Sequence, residues 1–286
     1  MNSRNLLVLA IALLMFPQIA QTLYSPALAD IGQAFAVGPQ QAAQTLSVFF
    51  LAFAFGVVVW GRLCDRIGRR PTMLIGLALY TGASILALSV GDFTALLAAQ
   101  ALAAFGAAVG SVVTQTLLRD RFKGAELAQV FSVMGIALAA SPAIGLFTGA
   151  SLVSAFGYRG VVGCLLLVAS LLWLWCLRTL PETRPQNVTV PALFETLWRM
   201  LQDLDIWRST LLVALFNIAL FSYYSLGPFV FQRLGVSAQW FGYSGVILAL
   251  GSGLGAWLNK RLLGRGYSGP WLIRLAAVSA LLGGMG

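Results

Sequence analysis

The side chains in this sequence that could recognise a ligand are uncharged, and they fall inside long apolar segments. Gln18, Gln21 and Thr22 recur at spacings of three and four residues, so one helix face would present them together. Amides, hydroxyls and aromatic rings bind ligands by hydrogen bonding and apolar contact. The candidate substrate-binding residues are Gln18, Gln21, Thr22, Tyr24, Thr114, Gln115, Asn217, Phe221, Tyr223 and Tyr224.

Two interpretations of these polar side chains stay open, because polar faces avoid lipid in both of them. The side chains either line a water-filled cavity or form hydrogen bonds between helices. In the first apolar segment Pro17 favours the cavity, since a proline loosens the helix that contains it.

The composition argues against catalysis and metal binding. The 286 residues include no histidine, which is the commonest acid–base group and metal ligand. The apolar segments contain no close carboxylate pair and no nucleophile motif. We therefore expect no enzyme activity, no metal site and no cofactor.

The composition also indicates that a membrane surrounds most of the chain. Hydrophobic residues make up 59% of the sequence and charged residues 9%, against about 25% charged in soluble domains. A crossing needs about 20 apolar residues, and such runs occur at 5–25, 42–60, 72–90, 94–117, 128–150, 160–177, 209–230 and 240–258. Part of a ninth begins near residue 271. We predict an all-α integral membrane bundle, truncated after eight complete spans.

The distribution of basic residues predicts the orientation of these spans. With a cytoplasmic N-terminus, every lysine and arginine except Arg159 and Arg233 falls on the inner side. This asymmetry is typical of a multi-pass protein of the inner (plasma) membrane. It also accounts for the net charge of +9, so we do not expect nucleic acid as a partner.

The longest loop divides the chain into two parts. We predict an N-terminal six-helix half at 1–178, a cytoplasmic connection at 179–208 and an incomplete C-terminal half at 209–286. Within the connection, Leu193, Leu197, Met200, Leu201 and Leu204 recur at helical spacing. This pattern indicates either an amphipathic helix on the membrane surface or a plain tether.

The most specific local motif lies between the second and third spans, at Gly61–Pro71. Gly61 would permit close helix approach, Gly68 would take a left-handed conformation, and Pro71 suits a first helical turn. The motif resembles the signature loop of the major facilitator superfamily, whose members have two pseudo-repeat six-helix halves. The conformational latch implied by this resemblance comprises Gly61, Asp65, Arg66, Gly68, Arg69, Arg70, Arg119 and Asp120, with an ionic contact expected between Asp65 and Arg119.

Further residues resemble the drug:proton antiporters of the Bcr/CflA group, and the first span is similar to the multidrug resistance protein D type. The fifth span contains Pro142, Gly145 and Gly149, which look like the glycine–proline motif of these antiporters. Pro142 removes a helical hydrogen bond, so this helix-bend motif is expected to bend the span.

The acidic residues depart from the family pattern. The position at which many relatives carry a carboxylate is Thr22, and Gln100 stands where many carry an arginine. None of the eight complete spans has a charged residue deep within it. The candidate proton sites are therefore Asp30 and Asp120, both near span ends.

The sequence therefore predicts a secondary transporter that exports small lipophilic or drug-like molecules by alternating access. Its expected partners are the substrate, membrane lipid and, by family resemblance, the proton as coupling ion, and we expect a monomer. Two alternatives remain: an importer of a neutral nutrient, and a truncated remnant that does not transport.

Overall fold

The computed structural model describes residues 3–185 and 193–283, and every regular element in these ranges is helical. Within these ranges ten α-helices follow one another: α1 Ser3–Tyr24, α2 Leu28–Ala34, α3 Pro39–Ile67, α4 Arg69–Ser89, α5 Phe93–Arg121, α6 Gly124–Thr179, α7 Leu193–Gln202, α8 Leu204–Arg233, α9 Ala238–Gly264 and α10 Gly269–Gly283. A 3₁₀ turn at Ser25–Ala27 joins α1 to α2, so these elements make one crossing at Asn5–Ala34.

The long helix α6 accounts for two of the predicted spans. Its apolar part, Gln129–Thr179, has 51 residues and would extend about 76 Å if straight, more than twice the hydrocarbon thickness. The backbone breaks at Gly157, where φ is 65°. The first arm, 124–156, begins directly after α5, and the second arm, 158–179, begins at Asp30 and ends where Leu177 accepts from Arg70 of α4. The two arms therefore run in opposite directions, and all eight predicted spans are present as helices.

The two ends of the bundle differ in charge. The end where α3 and α5 finish and α4 begins holds Arg62, Arg66, Arg69 and Arg119, and we call it the arginine-rich end. The other end holds Asp30 and is called the Asp30 end. Large apolar side chains along the outside, such as Leu51, Phe55 and Leu171, are exposed, as expected for a surface that meets lipid.

Glycine positions allow the central helix α5 to pack closely. A methyl group added at Gly106 would lie 2.7 Å from the carbonyl oxygen of Gly76 on α4, and one at Gly110 would lie 2.6 Å from that of Leu13 on α1. At Gly61 the nearest atom would be Val112 Cγ1 at 3.5 Å, an ordinary contact. The expectation that Gly61 serves close approach was therefore wrong.

The first arm of α6 lies between α1 and α9. On one side, Gly145 and Gly149 contact Thr22 and Leu23 of α1 so closely that no side chain would fit. On the other side, Gly242 and Gly245 of α9 contact Ala150 and Leu146. Pro142 lies inside the first arm, so the bend expected there stays a prediction, whereas the non-helical residue Gly157 lies in the connection predicted between the fifth and sixth spans.

The C-terminal helices join the first six mainly through α9 and the end of α8. The hydroxyl of Ser25 donates to the carbonyl oxygen of Tyr224, and α2 also contacts α8. Both contacts lie towards the Asp30 end. The predicted amphipathic segment forms α7, with Trp198 and Leu201 exposed and an ion pair between Glu195 and Arg199 at 2.6 Å.

Candidate functional site

A central cavity of about 350 Å³ lies between α1, α3, α5, the first arm of α6 and α8. Residues from both parts of the chain enclose it. Its lining consists of Leu14, Pro17, Gln18, Gln21, Phe49, Phe50, Phe53, Ser111, Gln115, Leu138, Asn217, Leu220 and Phe221. None of these side chains is charged, so the cavity offers only hydrogen bonds and apolar contacts.

Amides supply most of the polar groups in this cavity. Gln21 is 6% exposed, and its side-chain nitrogen has no hydrogen-bond partner in the described part of the chain. Asn217 already donates from Nδ2 to the carbonyl oxygen of Val213 at 2.8 Å. The Gln21 nitrogen is shielded as the side chain stands, so a ligand with an acceptor group would reach its N–H groups after the amide turns towards the cavity. Such a contact would be favourable, because a buried unpaired donor is costly to leave unsatisfied.

Phenyl rings form the apolar wall of the cavity. The rings of Phe49 and Phe53 on α3 stack with centroids 6.1 Å apart, and those of Phe50 and Phe221 approach to 4.4 Å across the two halves. The α3 rings are absent from the residues predicted from sequence. The spacing of four residues between Phe49 and Phe53 was the available signal, but it also fits a lipid-facing stripe.

Five of the ten predicted binding residues line the cavity, and five lie elsewhere. Thr22 donates to the carbonyl oxygen of Gln18 at 2.8 Å and packs against Gly145. Tyr223 donates to Ser244, whereas Tyr24, Tyr224 and Thr114 are buried among the helices. These five side chains pack between helices. The second interpretation, hydrogen bonding between helices, is met at Tyr223, whereas Thr22 bonds within α1 and the hydroxyls of Thr114 and Tyr224 have no partner in the described structure.

A cluster of charged residues at the arginine-rich end centres on Arg69. Its side chain is 5% exposed, and it contacts Asp120 at 2.7 Å and Asp65 at 3.3 Å. It also donates to the carbonyl oxygen of Cys64 at 3.1 Å. The expected contact between Asp65 and Arg119 was wrong, because Asp65 pairs with Arg69 while Arg119 is exposed and lies over the ring of Phe131.

The remaining motif residues surround this cluster in different ways. Arg70 donates to the carbonyl oxygen of Leu177 at 2.9 Å, whereas Arg66 is exposed. Gly68, for which a left-handed conformation was expected, has a positive φ of 109° but an extended ψ of 165°. A methyl group at Gly68 would also lie 2.9 Å from the carboxylate carbon of Glu182, so this glycine makes room for a residue that sequence reasoning missed.

Glu182 closes the same cluster from the segment after α6. Its carboxylate accepts hydrogen bonds from the backbone N–H groups of Arg69 at 2.9 Å and Arg70 at 3.1 Å, at the start of α4. Thr183 and Arg184 donate to it as well. Desolvation opposes ionisation, but these four donors prevail and hold the pKa of Glu182 below its ordinary value of 4.5.

A Glu182→Gln variant tests this carboxylate through the pH dependence of stability. Because the folded pKa lies below the unfolded one, the stabilisation is fully present above about pH 4.5 and is lost as the pH falls through the folded pKa. We expect the thermal midpoint of the parent protein in detergent to fall more steeply than that of Glu182→Gln between about pH 7 and about pH 3.5. Glu126→Gln, at an exposed glutamate, should keep the parent slope. Equal slopes in all three proteins would contradict the role of Glu182.

Asp30 occupies a comparable position at the Asp30 end. One carboxylate oxygen, Oδ2, accepts from the backbone N–H of Tyr158 at 2.6 Å. This bond caps the second arm of α6 just after the break at Gly157. Asp30 and Asp120, the two candidate proton sites, therefore lie at opposite ends of the bundle and both have protein partners.

Comparison with known proteins is consistent with this architecture. The sequence model of the Major Facilitator Superfamily matches residues 9–286. Multidrug resistance protein D of Escherichia coli is 30% identical over 181 residues, covering 63% of this chain and 46% of that protein. A bicyclomycin resistance protein homolog of Haemophilus influenzae is 27% identical over 295 residues, covering 99% and 73%.

The solved structures support the same fold. A bacterial homolog of the human lysosomal transporter Spinster, in an inward-facing and unoccupied conformation, superposes with a TM-score of 0.71 at 16% identity, covering 92% of this chain and 63% of that one. The chain spans about three fifths of the length of several curated relatives it matches.

Proposed function

Because the chain belongs to the Major Facilitator Superfamily and is a membrane transporter rather than an enzyme, we propose that it exports small lipophilic or drug-like molecules by alternating access. It would act as a monomer in the inner membrane. Its N-terminus would be cytoplasmic, because the arginine-rich end would then face the cytoplasm.

The observation that carries this proposal is the uncharged central cavity. Four phenyl rings would supply apolar contact, while Gln18, Gln21 and Gln115 would orient a ligand through a few hydrogen bonds. Its size of about 350 Å³ suits a drug-sized molecule. Relatives named for multidrug and bicyclomycin resistance support the same substrate class.

The contacts at the two ends suggest how access would alternate. At the Asp30 end, Ser25 and Tyr224 link the two halves, so this end would be closed when the cytoplasmic side opens. At the arginine-rich end, the Arg69 cluster holds α3, α4 and α5 together and would act as the latch within the first half. Rocking of the halves about the cavity would then expose it to each side in turn.

Proton coupling remains part of the proposal, and Asp30 suits it better than Asp120. Arg69 contacts both oxygens of Asp120, at 2.7 and 3.5 Å, so both are already engaged within the first half. Asp30 uses only Oδ2 for Tyr158. Substrate-induced release of protons from vesicles, measured with a pH-sensitive dye, would detect the coupling.

A Gln21→Leu variant tests the cavity as the substrate site. In everted membrane vesicles, where export appears as uptake, we expect the parent protein to accumulate chloramphenicol. The variant should raise the KM for it about fivefold, because one hydrogen bond to the ligand is lost. Gln100→Leu is the matched control, since Gln100 is 7% exposed and lies outside the cavity lining. Accumulation in right-side-out vesicles instead would identify an importer.

A further inference from the structure

A second cavity of about 450 Å³ lies at the Asp30 end, between the α1–α2 junction, the first arm of α6 and the loop from α8 to α9. It is lined in part by Asp30, Gln33, Pro228, Phe231, Gln232 and Phe241. These residues differ from those of the central cavity, and no residue lines both. The second cavity therefore needs its own chemical explanation.

Among the described residues, Asp30 is the one charged residue in the lining of this second cavity. The hydrogen bond from Tyr158 uses Oδ2 of Asp30, whose Oδ1 accepts no hydrogen bond from the described residues. The neighbouring Arg159 directs Nε to the hydroxyl of Tyr158 at 3.4 Å and forms no ion pair with Asp30 in the described structure. Arg233 lines a different cleft, next to α3. The negative charge of Asp30 is thus left without a basic partner from the described side chains around it.

The other walls of the cavity would suit an apolar body attached to a positive charge. The rings of Phe231 and Phe241 lie with centroids 5.5 Å apart in an edge-to-face arrangement, and of the two Phe231 is partly exposed whereas Phe241 is fully buried. An accessible aromatic ring attracts cations, and a carboxylate in the same lining adds a direct charge interaction. The amides of Gln33 and Gln232 offer hydrogen-bonding groups at the same cavity.

We propose that this second cavity is a binding site for lipophilic organic cations, with Asp30 Oδ1 as the counter-ion. The inference rests on the proposed export function, in which the Asp30 end faces outwards and the site would hold a cation on its way out. The described lining of the central cavity holds no charged residue, so cations and neutral substrates would differ in their need for Asp30.

The test is equilibrium binding of tetraphenylphosphonium to the purified protein, with Asp30→Asn as the variant. Asparagine keeps an oxygen that can accept from Tyr158 N–H, so the cap on α6 is retained while the charge is removed. We expect the Kd for tetraphenylphosphonium to rise about tenfold, with the Kd for the neutral dye Nile red unchanged. Asp92→Asn is the matched control, because Asp92 also caps a helix at this end and lies outside the lining.

Each outcome bears on the proposal in a defined way. An unchanged Kd for tetraphenylphosphonium in Asp30→Asn, or an equal loss in Asp92→Asn, would overturn it. Equal weakening of Nile red would also overturn it, because a structural defect would then explain the loss. Transport of chloramphenicol into vesicles tests the export function. Binding of tetraphenylphosphonium is measured on purified protein without transport, so the two proposals can fail separately.

Discussion

Replacing Gly149 with alanine should destabilise the protein by about 2–3 kcal/mol, because the new methyl group would overlap backbone that cannot move aside. At this position a Cβ would lie 3.0 Å from both the carbonyl carbon and the Cα of Leu23 on α1, and closer still to the carbonyl oxygen. Relief would require α1 and α6 to separate. We expect the thermal midpoint in detergent to fall by about 5–10 °C.

Gly163→Ala is the control for this prediction. Gly163 lies in the second arm of the same helix, and nothing lies within 4 Å of a Cβ added there. Alanine is favoured over glycine within a helix, so Gly163→Ala should leave the midpoint unchanged or raise it slightly. A Gly149→Ala protein as stable as the Gly163→Ala protein would show that α1 and α6 do not pack as described.

Arg69→Ala should have the second large effect, because it leaves two carboxylates without their shared partner. Asp120 has 16% of its side chain exposed and Asp65 has 38%, so the cost of unpaired charge falls mainly on Asp120. We expect a loss of about 3 kcal/mol, at the lower end of the range for a broken buried ion pair. Thermal unfolding in detergent measures it.

Two further variants, one at Arg69 and one at Arg66, separate the effect of losing a charge from the effect of losing the buried contacts. Arg69→Lys keeps the charge but cannot contact both carboxylates in the same fork geometry, so an intermediate loss is expected. Arg66→Ala removes an exposed arginine of the same motif and should change the midpoint little. If Arg66→Ala cost as much as Arg69→Ala, net charge rather than the buried contacts would explain the result.

The sequence was sufficient to predict the number and approximate bounds of the spans, because lipid imposes a strong requirement for apolar length. It also predicted a connection between residues 150 and 160, where the backbone of α6 breaks at Gly157. It did not predict that this connection would be as short as a single non-helical residue. The reason is local, since Gly157 adopts a positive φ and Asp30 caps the arm that follows.

The candidate site could be predicted only in part, because helix periodicity does not say which neighbour each face meets. Gln18 and Gln21 face the cavity, whereas Thr22, one residue further, faces Gly145. The cluster at the other end shows the same limit. Arg69 is the buried arginine because α5 ends with Asp120 beside its side chain and Glu182 accepts from its backbone N–H. Glu182 is more than a hundred positions away along the chain, so local sequence does not reveal this contact.

The glycines on α9 have a mechanical consequence. Gly242 and Gly245 have no side chains of their own and leave room for Ala150 and the side chain of Leu146, so the two helices approach closely. A helix with few protruding groups can be displaced along its axis without first separating from its neighbour, which is the shear type of motion. The contact between α6 and α9 could thus let one half slide against the other while the two helices stay in contact and keep lipid out of the interface.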